Sequence, residues 1–414
     1  MSKVIEMKKQ LHTFIMGLLT LFSVYLYYLS AEPLLPTVTI KKNTLLNVAN
    51  EEQKALNYLN KLRHGAGLLP FTQQEQLNVA ARNHANYLTN HSLYGHVESK
   101  KHQDFTGELA SSRIVYAGYA SPQVIENVST LNHNYKESVD GLFAAIYHRL
   151  AFLDFRSDAI GIGISQNSKK ITQTAFVYDM SSKALEKLYE NKQTITQEKL
   201  TQALSINQKL NSKVVLYPFN EQKDVPVAFF DELPDPLPEH RVSGFPISIS
   251  LNNYFYRSAK LLNFQLFNNK GEEILNTLTF DQESDPNKKL KKLDFVLFPL
   301  TRLEWNTQYN VKFLAIVDNE IFEKQWSFHT KHFKEPLHTV RKENQLFKVK
   351  LAEAHIFYFP PTSKVDLLND IAYPANLDVE FIDKNTIKII ALQKIDKIIS
   401  LNAGKHTFQL EITP

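Results

Sequence analysis

Hydrophobic periodicity changes once along this chain, and that change constrains the fold more than any other feature. Up to about residue 211, apolar residues recur mainly at helical spacing; from Lys213 onward they alternate at the two-residue period of strands. Leu56, Leu59 and Leu62 mark a first helix, which Gly65 and Gly67 end. Thr72-Gln73-Gln74-Glu75 has the form of a capping box, and behind it Leu77, Ala80, Ala81, His84 and Leu88 sit at helical spacing. From Ser138, the positions Val139, Leu142, Phe143, Ile146, Leu150 and Leu153 predict one continuous helix. Ala159–Ile164 and Thr174–Tyr178 then alternate as strands. Gly161 and Gly163 read as strand glycines that allow close packing, because no phosphate-binding lysine pattern follows them.

The later texture is that of a β protein. Val214–Pro218, Pro246–Leu251, Phe264–Phe267, Phe295–Pro299, Tyr309–Phe313 and Gln325–Phe328 read as short strands of a β-sandwich. Further strands at Phe347–Leu351, His355–Phe359, Leu377–Phe381, Thr386–Ile390 and Thr407–Ile412 predict a small β domain, with a hairpin turn at Asp383-Lys384-Asn385. A chain of 414 residues exceeds one ordinary core. The expected divisions are a membrane segment at 1–31, a tether at 32–47, an α+β domain at 48–182, a helical connector at 183–212, a β-sandwich at 213–332 and the small β domain at 333–414.

Lys3, Lys8 and Lys9 precede a largely apolar run from Leu11 to Leu29, long enough to cross a bilayer. Tyr25, Tyr27 and Tyr28 crowd its far end, as in an interfacial aromatic belt, and the lysines orient the bulk of the chain outward. The segment reads as an uncleaved signal-anchor, with a signal peptide cleaved near Ser30 and Ala31 as the alternative. Pro33 and Pro36 make the following stretch an extended tether. The chain has no cysteine, which excludes disulfides, a thiolate nucleophile, a cysteine-ligated zinc and a lipoprotein anchor. Its net charge of +4 is spread along the length and leaves no basic footprint for nucleic acid.

Three separated polar groups of the first domain stand out as one candidate cleft. His96 follows the second helix in a polar loop, Glu126 lies between Ile125 and Val128 where few charges are near, and His148 falls opposite the apolar stripe of its helix. A carboxylate such as Glu126 needs a partner in such a run, or its pKa rises. Two imidazoles and a carboxylate hold a divalent cation or handle protons. His84 lies inside an apolar stripe and reads as a buried structural histidine. The acidic, proline-rich stretch between Asp224 and Pro246 reads as an edge-protecting loop.

An ordered set of blocks carries a resemblance: Asn60-Lys61-Leu62-Arg63, Ala80-Ala81-Arg82-Asn83-His84-Ala85, Gly95-His96, Ser112–Tyr119, Glu126-Asn127-Val128, His148-Arg149 and Ile160–Gly163. In this order and spacing they resemble the CAP superfamily (SCP/TAPS, the pathogenesis-related-protein fold) in a cysteine-free bacterial form. The resemblance implies an α-β-α sandwich with a cleft built from His96, Glu126, Asn127 and His148. It also implies a divalent cation such as zinc on His96, Glu126 and His148, with Glu126 as the candidate catalytic group. The chain departs from the family pattern in that Ile125 and Tyr147 replace glycines, Leu142 replaces a tryptophan, and Ala144 and Ala145 stand where a second glutamate is expected. Leu300–Thr330, with Trp305, Tyr309 and Trp326, resembles bacterial Ig-like modules. The function expected from all of this is an exported, membrane-tethered CAP-domain protein of the cell envelope that binds a ligand, metal or partner. The alternative is a metal-dependent hydrolase of peptide or cell-wall bonds. No His-Glu-x-x-His helix or Gly-x-Ser-x-Gly elbow supports hydrolysis.

Overall fold

A computed structural model describes residues 45–191, 194–394 and 397–414. The expected membrane segment at 11–29 and most of the tether lie outside the described residues. Among the described residues no helix is long and apolar enough to cross a membrane. The described residues form two compact units, one of 45–336 with 360–367 and one of 337–359 with 368–414.

The first unit begins with helix α1 (Val48–Gly65), capped by the Asn47 side chain, which accepts the Asn50 N–H. Strand β1 (Thr72–Gln73) follows, then α2 (Glu75–His91), α3 (Ala110–Tyr116), β2 (Ile125–Thr130), α4 (Tyr135–Ala144), α5 (Ile146–Phe152), β3 (Ala159–Gln166) and β4 (Thr174–Ser181). The expected capping box is absent, because Thr72 and Gln73 pair with β3 as a short parallel strand and Gln74 makes no side-chain cap. The single helix expected from Ser138 is two helices, broken at Ala145, whose ψ of 116° is extended. The apolar stripe runs through the break, so periodicity alone gave no sign of it.

The four strands form one sheet in the order β1-β3-β4-β2. Register assigns its two faces. Glu126 pairs with Asp179 and Asp179 with Gly161, so these three side-chain positions share one face. That face takes α2 and α3. Alanines 80, 81 and 85 of α2 are fully buried, and glycines in β3 let the helix backbone come down onto the sheet. A Cβ on Gly161 would lie 2.0 Å from the Leu77 carbonyl carbon, and one on Gly163 would lie 2.1 Å from that of Ala81. The opposite face, carrying Ile160, Ile162, Phe176 and Tyr178, takes α1, α4 and α5. This is an α-β-α sandwich.

Two more helices, α6 (Lys183–Glu190) and α7 (Gln197–Leu210), lead to the strands. Thr277–Phe280, Asp294–Pro299, Ile247–Leu251 and Val214–Tyr217 form one four-stranded sheet; Ala259–Phe267, Gln308–Val317, Glu320–Thr330 and Gln222–Val225 form another. The sheets meet through aromatic contacts, with Phe313 of one packed 5.3 Å from Phe295 of the other between ring centroids. The hydrophobic cluster that fills this space also holds Ala55, Leu59, Leu62, Phe143, Phe152 and Tyr178, so the helical face of the α-β-α layer and the strands share one apolar core. Arg149 is buried at that junction. It donates to the carbonyls of Phe143 (2.6 Å) and Pro246 (2.7 Å) and lies over the rings of Phe245 and Tyr217. Burial lowers its pKa to about 9.

The second unit is all β and has its own core, which includes Val349, Phe357, Ile387, Leu401, Phe408 and Leu410. Leu337–Thr339, Ala354–Tyr358, Thr386–Ala391 and Leu377–Asp383 form one sheet; Gln345–Lys350, His406–Thr413, Ile399–Ala403 and Ile371–Ala372 form the other. Lys384 and Asn385 make the turn between two antiparallel strands, at the position where the sequence signals a hairpin.

Candidate functional site

The polar groups of the first unit fall into two clusters because the sheet divides them. Successive residues of a strand point to opposite faces, so Glu126 turns toward α2 and α3 while Asn127 turns toward α4 and α5. On its side Asn127 donates to the His148 carbonyl at 2.9 Å. His148 therefore lies on α5, over the face opposite Glu126. His96 and Glu126 are brought together; His148 does not join them.

Around Glu126 the side chains form a connected chain of ion pairs. His96 Nδ1 lies 2.9 Å from Glu126 Oε1, and Arg113 Nη2 donates to Glu126 Oε2 at 2.5 Å. Arg113 also donates to the His96 carbonyl at 3.0 Å, and its Nε is 3.8 Å from Glu98. Glu98 accepts the Thr106 N–H at 2.8 Å and lies 3.0 Å from His84 Nδ1. The other nitrogen of His84 faces the Gly95 carbonyl at 3.1 Å. A carboxylate and a carbonyl only accept, so the His84 ring satisfies both when both of its nitrogens carry protons. His84 is fully buried, as are the side chains of Arg113 and Glu98.

Asp179 completes this cluster. It faces Glu126 across the β2–β4 pair, is fully buried, and receives no donor on either oxygen. Burial and the neighbouring Glu126 charge push its pKa well above the usual carboxylate range, and Arg113 offsets this only in part. Glu126 moves the other way. Burial pushes it up, but the His96 hydrogen bond and the Arg113 and His84 charges outweigh burial and hold it low. Glu98 is likewise held low against burial by His84, Thr106 and Arg113. In this buried pair Asp179 is therefore the carboxyl that favours the protonated form and Glu126 the one that favours the ionised form.

On the other face the acidic, proline-rich stretch brings a carboxylate to the start of α5. Its Glu232 is buried, with Oε2 3.1 Å from His148 Nδ1, and it accepts the N–H groups of Ile146 (2.7 Å) and Tyr147 (3.2 Å) at the start of α5. Tyr147 reaches Asp285 in the same strand-rich region. Desolvation raises the Glu232 pKa, and His148 and the two backbone donors reduce that shift.

The donor set does not fit the three-ligand zinc site expected from His96, Glu126 and His148. The sheet lies between the second histidine and the other two groups, and the buried Arg113 guanidinium already supplies positive charge between Glu98 and Glu126. Among the described residues no group of three or more His, Cys, Asp or Glu side chains is placed to hold a metal ion. The chain can instead hold protons and fixed charge at a site whose outer member, the His96 side chain, is 47% exposed.

Sequence reading missed Arg113, Glu98, Asp179 and Glu232. Asp179 did leave a signal, as the one ionisable acid in the otherwise apolar run Ala175–Met180. Glu232 left none, since only the tertiary fold carries it 84 residues back to His148.

A model of the CAP family, described as the cysteine-rich secretory protein family, matches residues 56–180. No curated protein matches the chain. Among solved structures, an outer surface protein from Borrelia burgdorferi is 14% identical over 34% of this chain and 97% of its own, with a TM-score of 0.30. An extracellular protein containing a SCP domain from Bacillus anthracis str. Ames is 14% identical over 37% of this chain and 45% of its own, with a TM-score of 0.28. A cysteine-rich secretory protein from Staphylococcus aureus subsp. aureus Mu50 is 15% identical over 33% and 41%, with a TM-score of 0.25. The chain thus spans less than half the length of the last two. Residues 56–180 of this chain are a CAP domain, built without a single cysteine.

Proposed function

We propose that this is an exported protein of the cell envelope, tethered through residues 11–29, whose CAP domain binds a polar ligand at His96 without a metal. The exposed edge of His96 carries the reading. Its Nδ1 is fixed by an ionised Glu126, which leaves Nε2 oriented toward solvent as the contact atom. Tyr94 and Val97, 81% and 56% exposed, flank it and offer apolar surface beside the imidazole. Behind it, Arg113 holds Glu126 in place, so the site is positioned before any ligand arrives. The strands that follow it in the first unit, Ig-like in this reading, support the CAP domain through their shared core. The extracellular and outer-surface descriptions of the similar solved structures agree with export.

Co-sedimentation of residues 45–414, which lack the tethering segment, with isolated envelope fractions tests this, beside His96→Ala and Glu126→Gln. Retention that falls at least tenfold in both variants supports the reading, whereas unchanged retention sinks it. Zinc calorimetry on the same proteins covers the metal. Tight binding near one equivalent that His96→Ala removes would replace the metal-free site with a metal centre and restore the hydrolase alternative.

A further inference from the structure

A cavity of about 350 Å³ opens between the loop after α5 and the first sheet of the strands, within the first unit and away from the His96 cluster. Its volume is in the range that holds small organic ligands, and such sites favour junctions between layers. Four cationic side chains line it, Arg156, Arg257, Lys291 and Lys292, against two carboxyls, Asp154 and Asp294. Even with both carboxyls ionised the lining keeps two positive charges.

The carboxyls are already committed to the protein. Asp154 accepts from Arg156 Nη2 and Lys291 Nζ, both at 2.7 Å. Asp294 accepts the Ser250 hydroxyl at 2.7 Å and the Lys291 N–H at 3.0 Å. Arg257 and Lys292 are exposed, and neither has a carboxylate at ion-pair distance among the described residues; the Arg257 guanidinium donates to the Asn253 carbonyl at 2.7 Å, and its backbone N–H donates to the Asp318 carboxylate. Leu150, Phe155 and Tyr256 supply apolar wall. Fixed acids, uncommitted cations and an apolar wall call for a ligand with a negative head and an apolar body.

We propose that this cavity binds a small organic anion, a carboxylate or phosphate ester with an apolar body, whose charge is met by Arg257 and Lys292. The site is independent of the His96 cluster.

Calorimetry on the full chain in neutral detergent tests it with phenyl phosphate, benzoate, inorganic phosphate and benzyl alcohol as probes. Phenyl phosphate or benzoate is expected to bind near one equivalent, at least tenfold tighter than inorganic phosphate or benzyl alcohol. Arg257→Gln/Lys292→Gln is expected to weaken it about tenfold with an unchanged melting temperature, since both side chains are exposed. His96→Ala leaves this binding unaltered, which separates the two sites. Benzyl alcohol binding as well as phenyl phosphate, no loss in the double variant, or no binding of any probe each overturns the proposal.

Discussion

Glu232 and His148 lie 3.1 Å apart although one belongs to the loop between the strands and the other to a CAP-domain helix. The same carboxylate takes the first two N–H groups of that helix. The loop thus caps the helix from outside the CAP domain, a role that helix ends normally fill from their own sequence.

Glu232→Ala leaves two N–H groups and an imidazole nitrogen without their acceptor. The expected cost is about 2–4 kcal/mol in urea unfolding, against about 1 kcal/mol for Glu232→Gln, which keeps an acceptor. A loss below about 0.5 kcal/mol for the alanine variant would remove the cap from the account.

Asp179→Asn puts a neutral isostere in place of a buried carboxyl whose pKa is pushed up. The sign follows from linkage: a carboxyl raised in the folded state holds a proton that the unfolded chain releases. Its contribution is full below the unfolded value of 3.8 and is lost as pH rises through the raised folded value. The variant should therefore be at least as stable as wild type at pH 8 and lose less stability between pH 5 and 8. A variant about 2 kcal/mol less stable at pH 8 would show that Asp179 is ionised there.

Gly161→Ala puts a methyl 2.0 Å from the Leu77 carbonyl carbon, which is helix backbone and has no rotamer to yield. A destabilisation of about 3 kcal/mol or more is expected, read as a collapse in soluble yield or urea midpoint. The control is Gly141→Ala, where a Cβ meets nothing within 4 Å. Equal effects at the two positions would contradict the helix-on-sheet contact.

In the second unit His338 Nε2 meets His355 Nδ1 at 3.0 Å, and His355 Nε2 accepts the Lys350 N–H at 3.1 Å. Neutral rings satisfy this chain with His355 donating and His338 accepting. Burial lowers both pKa values, and for His338 the neighbouring His355 adds to it. Below the unfolded value of 6.5 the unfolded chain takes up protons that the folded rings resist. The contribution is therefore full above that pH and is lost as pH falls toward the folded values. NMR titration of the two rings, assigned with His355→Gln, should give midpoints below 6.5; a midpoint above it for either ring refutes this pairing.

Much of the CAP domain was legible because its signals are local. Ala80, Ala81 and His84 mark a helix that packs closely, and Gly161 and Gly163 mark the strand it packs on. The Asp383–Asn385 turn is readable for the same reason, since two residues set its geometry. Arg113 was passed over although it lies inside a quoted block, because an arginine in a short helix usually reaches solvent, and only packing shows this one buried beside two glutamates.

The sequence alone determined the order of helix and strand textures, the absence of any thiol chemistry, and the CAP domain itself, since all three rest on residue type and spacing. Tertiary structure decided which polar groups meet. Strand alternation and the β2–β4 register send Glu126 to Asp179 and His96, and Asn127 to the helix of His148. A one-residue shift in that register would reverse the assignment. No spacing in the sequence encodes the register, because it is set by which faces α2 and α5 bury.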